Sequence, residues 1–334
     1  MTSSSIEIRA VVITGKGGVE TLSLATRSLR APGPGELLVE VAAASCNRAD
    51  IVQRRGFYAA PAGAAQDIPG LEYAGTVAQI GEGVLRYKAG DRVMGIVAGG
   101  AMATHVVVHE REAMPVPKNL SLTDAGAIPE VFLTAYDALF LQAGLKTGET
   151  MLVHAVGSGI GTAAIQLARA ISATSVGTSR TADKLERCAK LGLDIGIVSA
   201  DKTFAKSVLE KTGGRGVDVL LDTVGASYLG ENVQALATRG RIIVIGLLGG
   251  VAGELPLGAL LAKRASITGS VLRSRPLEEK ATLAQAATAA LVPLFERGAL
   301  VPVIDRVMPM TEIRAAHEYL ESNASFGKVV MTWQ

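Results

Sequence analysis

The sequence predicts an α/β fold in which a doubly wound parallel sheet is inserted into a β-rich module. Three observations carry this. Between residues 150 and 272, short apolar runs alternate regularly with helical stretches of about 10–15 residues. The first 110 residues carry β-branched runs without that alternation. The last 60 return to a strand–helix–strand pattern of their own.

Taken in order, residues 6–13 and 36–44 read as strands, separated by the turn residues Pro32, Gly33, Pro34 and Gly35. Strands follow at 73–80, 92–96 and 104–109. Residues 125–143 are helical. Six buried strands are expected at 151–156, 174–179, 194–199, 217–224, 241–246 and 266–272. The intervening helices fall near 160–171, 181–191, 204–211 and 230–237, with Thr181 as a helix cap. An Ala-rich helix over 277–297 closes at Gly298. A strand at 301–306, a helix from Thr311 to Glu321 and a strand at 328–332 complete the chain. Six parallel strands match a dinucleotide-binding sheet. The layout predicts a β-rich first part over 1–126, a cofactor domain over 127–274 and a return segment over 275–334.

Composition narrows the function. At roughly 150 residues per domain, 334 residues make about two domains. Hydrophobic residues are 49% and charged residues 19%, which excludes a disordered chain. With 33 Lys and Arg against 31 Asp and Glu, the net charge of +2 is too even for a protein built around a nucleic-acid backbone. The apolar stretch 281–295 is too short to span a membrane, and 151–168 is broken by glycines. The N-terminus has no apolar signal core. The two cysteines, Cys46 and Cys188, show no paired spacing. These features point to a cytoplasmic protein free of membranes.

The loop Val156-Gly157-Ser158-Gly159-Ile160-Gly161 follows the first parallel strand and opens a helix. Backbone N–H groups, a helix N-terminus and small residues there suit a pyrophosphate. The motif is imperfect, and an ordinary glycine turn would give the same residues. The second strand ends Thr178-Ser179-Arg180, with Lys184 one turn on and no carboxylate before Asp183. A Ser and two cations suit a 2′-phosphate, so the residues favour NADPH over NADH. A solvated helix start is the plainer alternative.

The chain resembles the medium-chain dehydrogenase/reductase superfamily, in its zinc-free quinone oxidoreductase (zeta-crystallin-like) branch. The resemblance rests on Cys46-Asn47-Arg48-Ala49-Asp50 with Gln53-Arg54-Arg55-Gly56-Phe57-Tyr58, and on Pro69-Gly70-Leu71-Glu72-Tyr73-Ala74-Gly75. Ala89-Gly90-Asp91-Arg92-Val93, Leu133-Thr134-Ala135-Tyr136 and Gly327-Lys328-Val329-Val330 extend it along the chain. The first stretch is similar to the tumour-suppressor-inducible NADPH:quinone reductases. This resemblance implies a GroES-like catalytic domain made of both chain ends, a Rossmann domain between them and a cofactor cleft where they meet. It implies a homodimer, formed through the last Rossmann strand at 266–272. Resemblance and residue chemistry together give the cofactor contacts Asn47, Thr134, Ser158, Gly159, Ile160, Gly161, Gly246, Leu247 and Lys328, with Ser179, Arg180 and Lys184 read from the strand end alone, since relatives of that subgroup often carry Gly-Ser where Arg180-Thr181 stands. Tyr58 would lie beside the substrate, where its O–H could reach a quinone oxygen. Asn47 and Tyr58 are thus the expected catalytic pair.

No metal is expected. Zinc relatives place a Cys where Asn47 stands and a His where Leu71 stands, and a catalytic zinc needs about three protein ligands. His105 and His109 lie along a strand, His154 reads as a satisfied core histidine, and His317 as a surface residue. Without a Lewis acid, an already electron-poor quinone is the natural acceptor of a hydride. Reduction of α,β-unsaturated carbonyls such as 2-alkenals, and a non-catalytic NADPH-binding role like that of a crystallin, remain as alternatives. Asn47 could equally cap a turn, and Tyr58 could be a rim aromatic. Asp50 and Glu72 are expected to bond to Arg or to backbone.

Overall fold

The computed structural model describes residues 5–333. In chain order the elements are β1 (Ser5–Ile13), β2 (Leu22–Arg30), β3 (Glu36–Cys46), α1 (Arg48–Arg54), β4 (Glu72–Ile80), β5 (Arg92–Ile96), β6 (His105–His109), β7 (Met114–Pro115), α2 (Leu122–Ala125) and α3 (Pro129–Tyr136). Next come β8 (Thr150–Val153), α4 (Gly159–Ala170), β9 (Thr174–Ser179), α5 (Ala182–Ala189), β10 (Ile195–Val198), α6 (Ala205–Lys211), β11 (Val217–Asp222), α7 (Leu229–Ala235), β12 (Leu236–Val244), α8 (Leu257–Lys263) and β13 (Ser266–Gly269). The chain ends with α9 (Leu277–Glu296), β14 (Ile304–Pro309), α10 (Ile313–Glu321) and β15 (Lys328–Thr332). The chain forms two compact units: one runs to Leu133 and resumes at Leu272, and the other is Thr134–Val271. The first transition falls seven residues after the expected position and the second three residues before it.

The first unit is GroES-like. Its large sheet has the order β14-β15-β3-β4-β5-β7, with β6 also paired to β3. Both chain ends therefore share one sheet, because β15 runs antiparallel to β3, Val329 facing Cys46 and Thr332 facing Ala43. Alternate residues of these strands, among them Val39, Val41, Tyr73, Val77 and Met331, enter one buried cluster. Each such side chain contributes roughly 1.5–3 kcal/mol when fully buried. A separate antiparallel pair, β1 with β2, is in register from Ser5 opposite Arg30 to Ile13 opposite Leu22. The sequence reading passed over β2. Its residues alternate in exposure, but Ser23, Ala25 and Arg27 on the inner face carry little apolar signal. The long pairing with β1 supplies the order that composition does not.

Three further expectations are corrected. The helix expected over 125–143 is broken into α2, α3 and a π-helical stretch, Asp137–Gln142. The helix expected from Thr311 starts two residues later, at Ile313, because Thr311 lies in a 3₁₀ turn. His317 is not at the surface but wholly buried, facing Arg54.

The second unit is the Rossmann domain. Its six strands are all parallel, in the order β10-β9-β8-β11-β12-β13. The order reverses direction at β8, between β9 and β11, which makes a topological switch point. All six residues of β11 are buried, as a strand covered on both faces requires. His154 is a satisfied core residue, as expected. Asn232 Nδ2 donates to Asp222 Oδ2 at 2.9 Å, so Asn232 Oδ1 must accept from His154 Nε2–H at 2.7 Å. His154 Nδ1 then accepts from the Thr178 hydroxyl at 2.9 Å. Burial holds the imidazole below its usual pKa and keeps it neutral.

Candidate active site

In the first unit the sheet register assembles a buried polar cluster. Val329 pairs with Cys46, so Lys328 falls opposite Asn47 at the end of β3. Ala44 pairs with Tyr73, which brings Glu72 beside the same end. Glu72 is fully buried, and Lys328 is 4% exposed. Lys328 Nζ donates to Glu72 Oε1 at 2.8 Å, to Asn47 Oδ1 at 2.5 Å and to the Cys46 carbonyl at 3.4 Å. Asn47 Nδ2 donates to Glu72 Oε1 at 2.9 Å and to the Ser45 carbonyl at 3.2 Å. The second Glu72 oxygen accepts the Glu130 backbone N–H at 2.8 Å. Every polar atom of the Asn47 side chain is thus engaged, and its amide orientation is fixed by an ammonium on one side and a carboxylate on the other.

Asp50 sits in the first turn of α1. Its carboxylate accepts the Asn47 N–H at 2.8 Å and the Gly70 N–H at 3.0 Å. Burial raises its pKa to about 6 against the pull of those two donors. Gly70 has φ +100°, and a Cβ there would lie 2.5 Å from the Met102 nitrogen. Only glycine permits this turn, so the Asp50 contact depends on it. Asp50 and Glu72 therefore both bond to backbone, as expected, and Glu72 in addition pairs with Lys328.

Tyr58 follows α1 and is partly buried. Arg273 lies over its ring at 4.9 Å from the centroid. The same guanidinium donates to the Ala98 carbonyl at 2.7 Å, the Tyr58 carbonyl at 3.0 Å and Gln53 Oε1 at 2.6 Å. A 6%-exposed arginine thus fixes the segment that carries Tyr58. Burial raises the Tyr58 phenol, and the Glu130 carboxyl adds to the rise. Glu130, at the start of α3, has its own pKa pushed up to about 8, first by burial and then by Glu72. Arg273 and Glu130 were missed in the sequence. Arg273 belongs to no motif, and Glu130 looks like an ordinary acid in the first turn of a helix.

In the second unit, Ser158 caps α4 by accepting the Gly161 N–H at 3.2 Å. A Cβ on Gly161 would lie 2.4 Å from the Val156 carbonyl oxygen, so this glycine permits close packing of helix on strand. Ser179 ends β9 and accepts the Thr181 N–H at 3.3 Å; Arg180 beside it is exposed, and Lys184 lies on the first turn of α5. Gly246 approaches the Thr223 backbone, where a Cβ would meet the carbonyl oxygen at 2.8 Å, and Leu247 is exposed. Ile160 and Gly159 lie in the first turn of α4, and Thr134 is partly buried on α3. The hydroxyls of Ser199 and Thr223, just past the carboxyl ends of β10 and β11, are buried without a hydrogen-bond partner. Such a hydroxyl costs roughly 1–3 kcal/mol when unpaired. Both lie at the sheet end where doubly wound folds receive ligands, so the residues fit a dinucleotide.

Residues 33–118 match the family "Alcohol dehydrogenase GroES-like domain", and residues 159–289 match "Zinc-binding dehydrogenase". A quinone oxidoreductase from Lama guanicoe is 31% identical over 97% of both chains. Among solved structures, an NAD-dependent alcohol dehydrogenase superposes with a TM-score of 0.87 at 33% identity, over 98% of this chain and 100% of that one. The JamJ enoyl reductase does so at 0.86 and 26% identity, over 97% and 99%. The second family's description implies zinc, and the residues here do not fit it. Asn47 and Leu71 are poor or absent ligands, burial pushes the Cys46 thiol far up, and the Lys328 ammonium already occupies the oxygens of Asn47 and Glu72. Among the described residues no three His, Cys, Asp or Glu side chains converge to hold a metal ion. On sequence, fold and neighbours, the chain belongs to the quinone oxidoreductase branch of the medium-chain dehydrogenase/reductase superfamily, whose oxidoreductases bind a nicotinamide cofactor.

Proposed function

We propose that the protein is an NADPH-dependent, zinc-independent reductase of quinones. The observation that carries this reading is the Lys328–Glu72–Asn47 cluster, where an internal ammonium takes the oxygens a metal would need. With no Lewis acid to polarise an alcohol, the acceptor must be electron-poor in itself, as a quinone is. NADPH would supply a hydride to that acceptor. Ser158, Gly159, Ile160 and Gly161 would receive the pyrophosphate on the N-terminus of α4. Ser179, Arg180 and Lys184 would bind the 2′-phosphate, and Thr134, Gly246 and Leu247 the nicotinamide end. Asn47 and Tyr58 would face the quinone. Lys328 would act by holding the Asn47 amide in place. A second reading, reduction of an α,β-unsaturated carbonyl, draws support from the likeness to an enoyl reductase and from the free Tyr58 hydroxyl.

The protein would be a homodimer joined through β13, the last strand of its sheet, beside which α8 exposes Leu257 and Leu261 at 67% and 80%. Two buried, unpaired cysteines suit a cytoplasmic location. No helix among the described residues is long and apolar enough to cross a membrane.

Steady-state oxidation of NADPH and NADH with ortho-quinones, para-quinones and 2-alkenals tests the reading. Quinones should turn over faster than alkenals. NADPH should be preferred by about tenfold or more in kcat/KM, the worth of one charge-assisted phosphate contact, and Arg180→Ala should erase that preference. Faster alkenal reduction, equal use of NADH, or stoichiometric bound zinc would each overturn it.

A further inference from the structure

We propose that Arg273 is the positioning residue of the substrate side, holding Tyr58 and the loop 59–66 in place against the quinone. This rests on the reductase reading above and deepens it. The need for such a residue is written in the loop. Ala59-Ala60-Pro61-Ala62-Gly63-Ala64-Ala65 carries no side chain larger than proline, and only Ala60 of these is buried. Such a segment has little apolar area with which to anchor itself. It closes on itself instead. The Ala64 N–H donates to the Pro61 carbonyl at 3.2 Å, and Gln66 Nε2 donates to the Pro61 and Ala64 carbonyls at 3.0 and 2.9 Å. Its attachment to the rest of the unit therefore depends on hydrogen bonds at its two ends.

Arg273 serves both ends. At the near end Nη1 donates to the Tyr58 carbonyl at 3.0 Å, and the guanidinium lies over the ring of the same residue. At the far end it acts through Gln53. Arg273 Nη2 donates to Gln53 Oε1 at 2.6 Å, which fixes the amide so that Gln53 Nε2 donates to the Gln66 carbonyl at 3.4 Å. The Nε–H donates to the Ala98 carbonyl at 2.7 Å, at the start of a segment that lies along the same loop. There Gly99 has φ +152°, and a Cβ on it would come within 3.0 Å of the Ala65 carbonyl oxygen and 3.5 Å of Arg273 Nη2. The next residue, Gly100, donates its N–H to the Ile68 carbonyl at 2.9 Å. One side chain thus ties together α1, the Tyr58 segment and the segment after β5.

The choice of arginine follows from this. Its acceptors are two backbone carbonyls and an amide oxygen, none of them a carboxylate. Three nitrogens of one rigid plane meet three segments at once, which the single ammonium of a lysine on its flexible stem cannot do. A buried cation is costly to desolvate, and a position that needed only packing would be served better by an apolar side chain. What the guanidinium adds is a fixed place for the Tyr58 backbone and ring together.

The test has two arms. In turnover with NADPH and a para-quinone, Arg273→Met should lower kcat/KM for the quinone about 30-fold, the worth of one or two charge-assisted hydrogen bonds. The loss should fall chiefly on KM for the quinone and leave KM for NADPH unchanged. Because Arg273 acts through Tyr58, the same change in a Tyr58→Ala background should cost about threefold or less. In the cofactor-free protein, chymotrypsin reads the hold directly, since the Tyr58 carbonyl it attacks is the one Arg273 grips. Cleavage after Tyr58 should speed up about tenfold or more in Arg273→Met, while cleavage after the buried Phe132 and Phe295 keeps its wild-type rate. If Arg273→Met does not fold, Arg273→Lys, which keeps the charge and loses the fork, carries both measurements with smaller effects. Equal losses in the two backgrounds, or cleavage that speeds up at Phe132 and Phe295 as much as at Tyr58, would mean that Arg273 serves the fold alone and would overturn the role. Absence of turnover with every quinone overturns the reductase reading and the positioning role with it. Release at Tyr58 in the chymotrypsin arm then tells the two failures apart, because it means that the hold is built and the reaction was misassigned.

Discussion

Lys328 is an ammonium ion held among oxygens inside the protein. It is 4% exposed and its partner Glu72 is not exposed at all. Such a pair costs much to desolvate, and its members depend on one another. Removing only the lysine strands a buried carboxylate. Lys328→Met should therefore lower stability by about 3–5 kcal/mol. Removing both charges together, in Glu72→Gln with Lys328→Met, should cost less than the single change. Denaturant midpoints of the three proteins check this, and a double variant weaker than Lys328→Met alone would refute the pairing. The sequence made each member visible but not their relation. Glu72 and Lys328 lie 256 positions apart, and only the register of β15 on β3 and of β3 on β4 joins them. Glu130 was less legible still. What distinguishes it is the absence of a partner in a buried place, and a pattern of residue types carries no trace of that.

Elements were more legible than contacts where a hydrophobic period was unbroken. The buried strands β8, β9 and β11 were expected within a few residues of their observed bounds, because a strand covered on both faces is apolar throughout. β2 was not, because its inner face is half polar. β13 lies between these cases. Only Ile267 of its four residues turns partly inward, and the strand pairs with β12 alone. An edge of this kind, next to the exposed Leu257 and Leu261 of α8, invites pairing with a second copy. Light scattering should report a dimer for the wild type. Thr268→Lys with Leu261→Lys should shift it to monomer, because like charges would meet across a twofold axis. A wild-type monomer at micromolar concentration would refute this contact.

At the scale of the whole molecule, the buried groups of the first unit set how stability responds to pH. His317 accepts from Arg54 at Nδ1, while its buried Nε2 has no partner, and burial with Arg54 lowers its pKa to about 4. The unfolded chain binds that proton more readily, so His317 weakens the fold as pH drops from about 6.5 toward 4. Asp50 acts in the opposite sense. Raised to about 6 from 3.8, it stabilises the fold while protonated and loses that contribution as pH climbs between those values. The two largely offset each other between pH 4 and 6, so the decline contributed by Glu130, which begins near pH 4.5, sets the profile there. Above 6.5 both are spent, and Glu130 is left. Its folded form keeps a proton up to about pH 8, whereas the unfolded chain has released it near 4.5. Stability must then fall with rising pH, at about 1.4 kcal/mol per unit, or about 2 kcal/mol between pH 6.5 and 8. Urea midpoints measured across that range should decline for the wild type and stay level for Glu130→Gln, whose amide does not titrate. A wild-type protein equally stable at both ends would mean that the Glu130 carboxyl is already ionised at neutral pH.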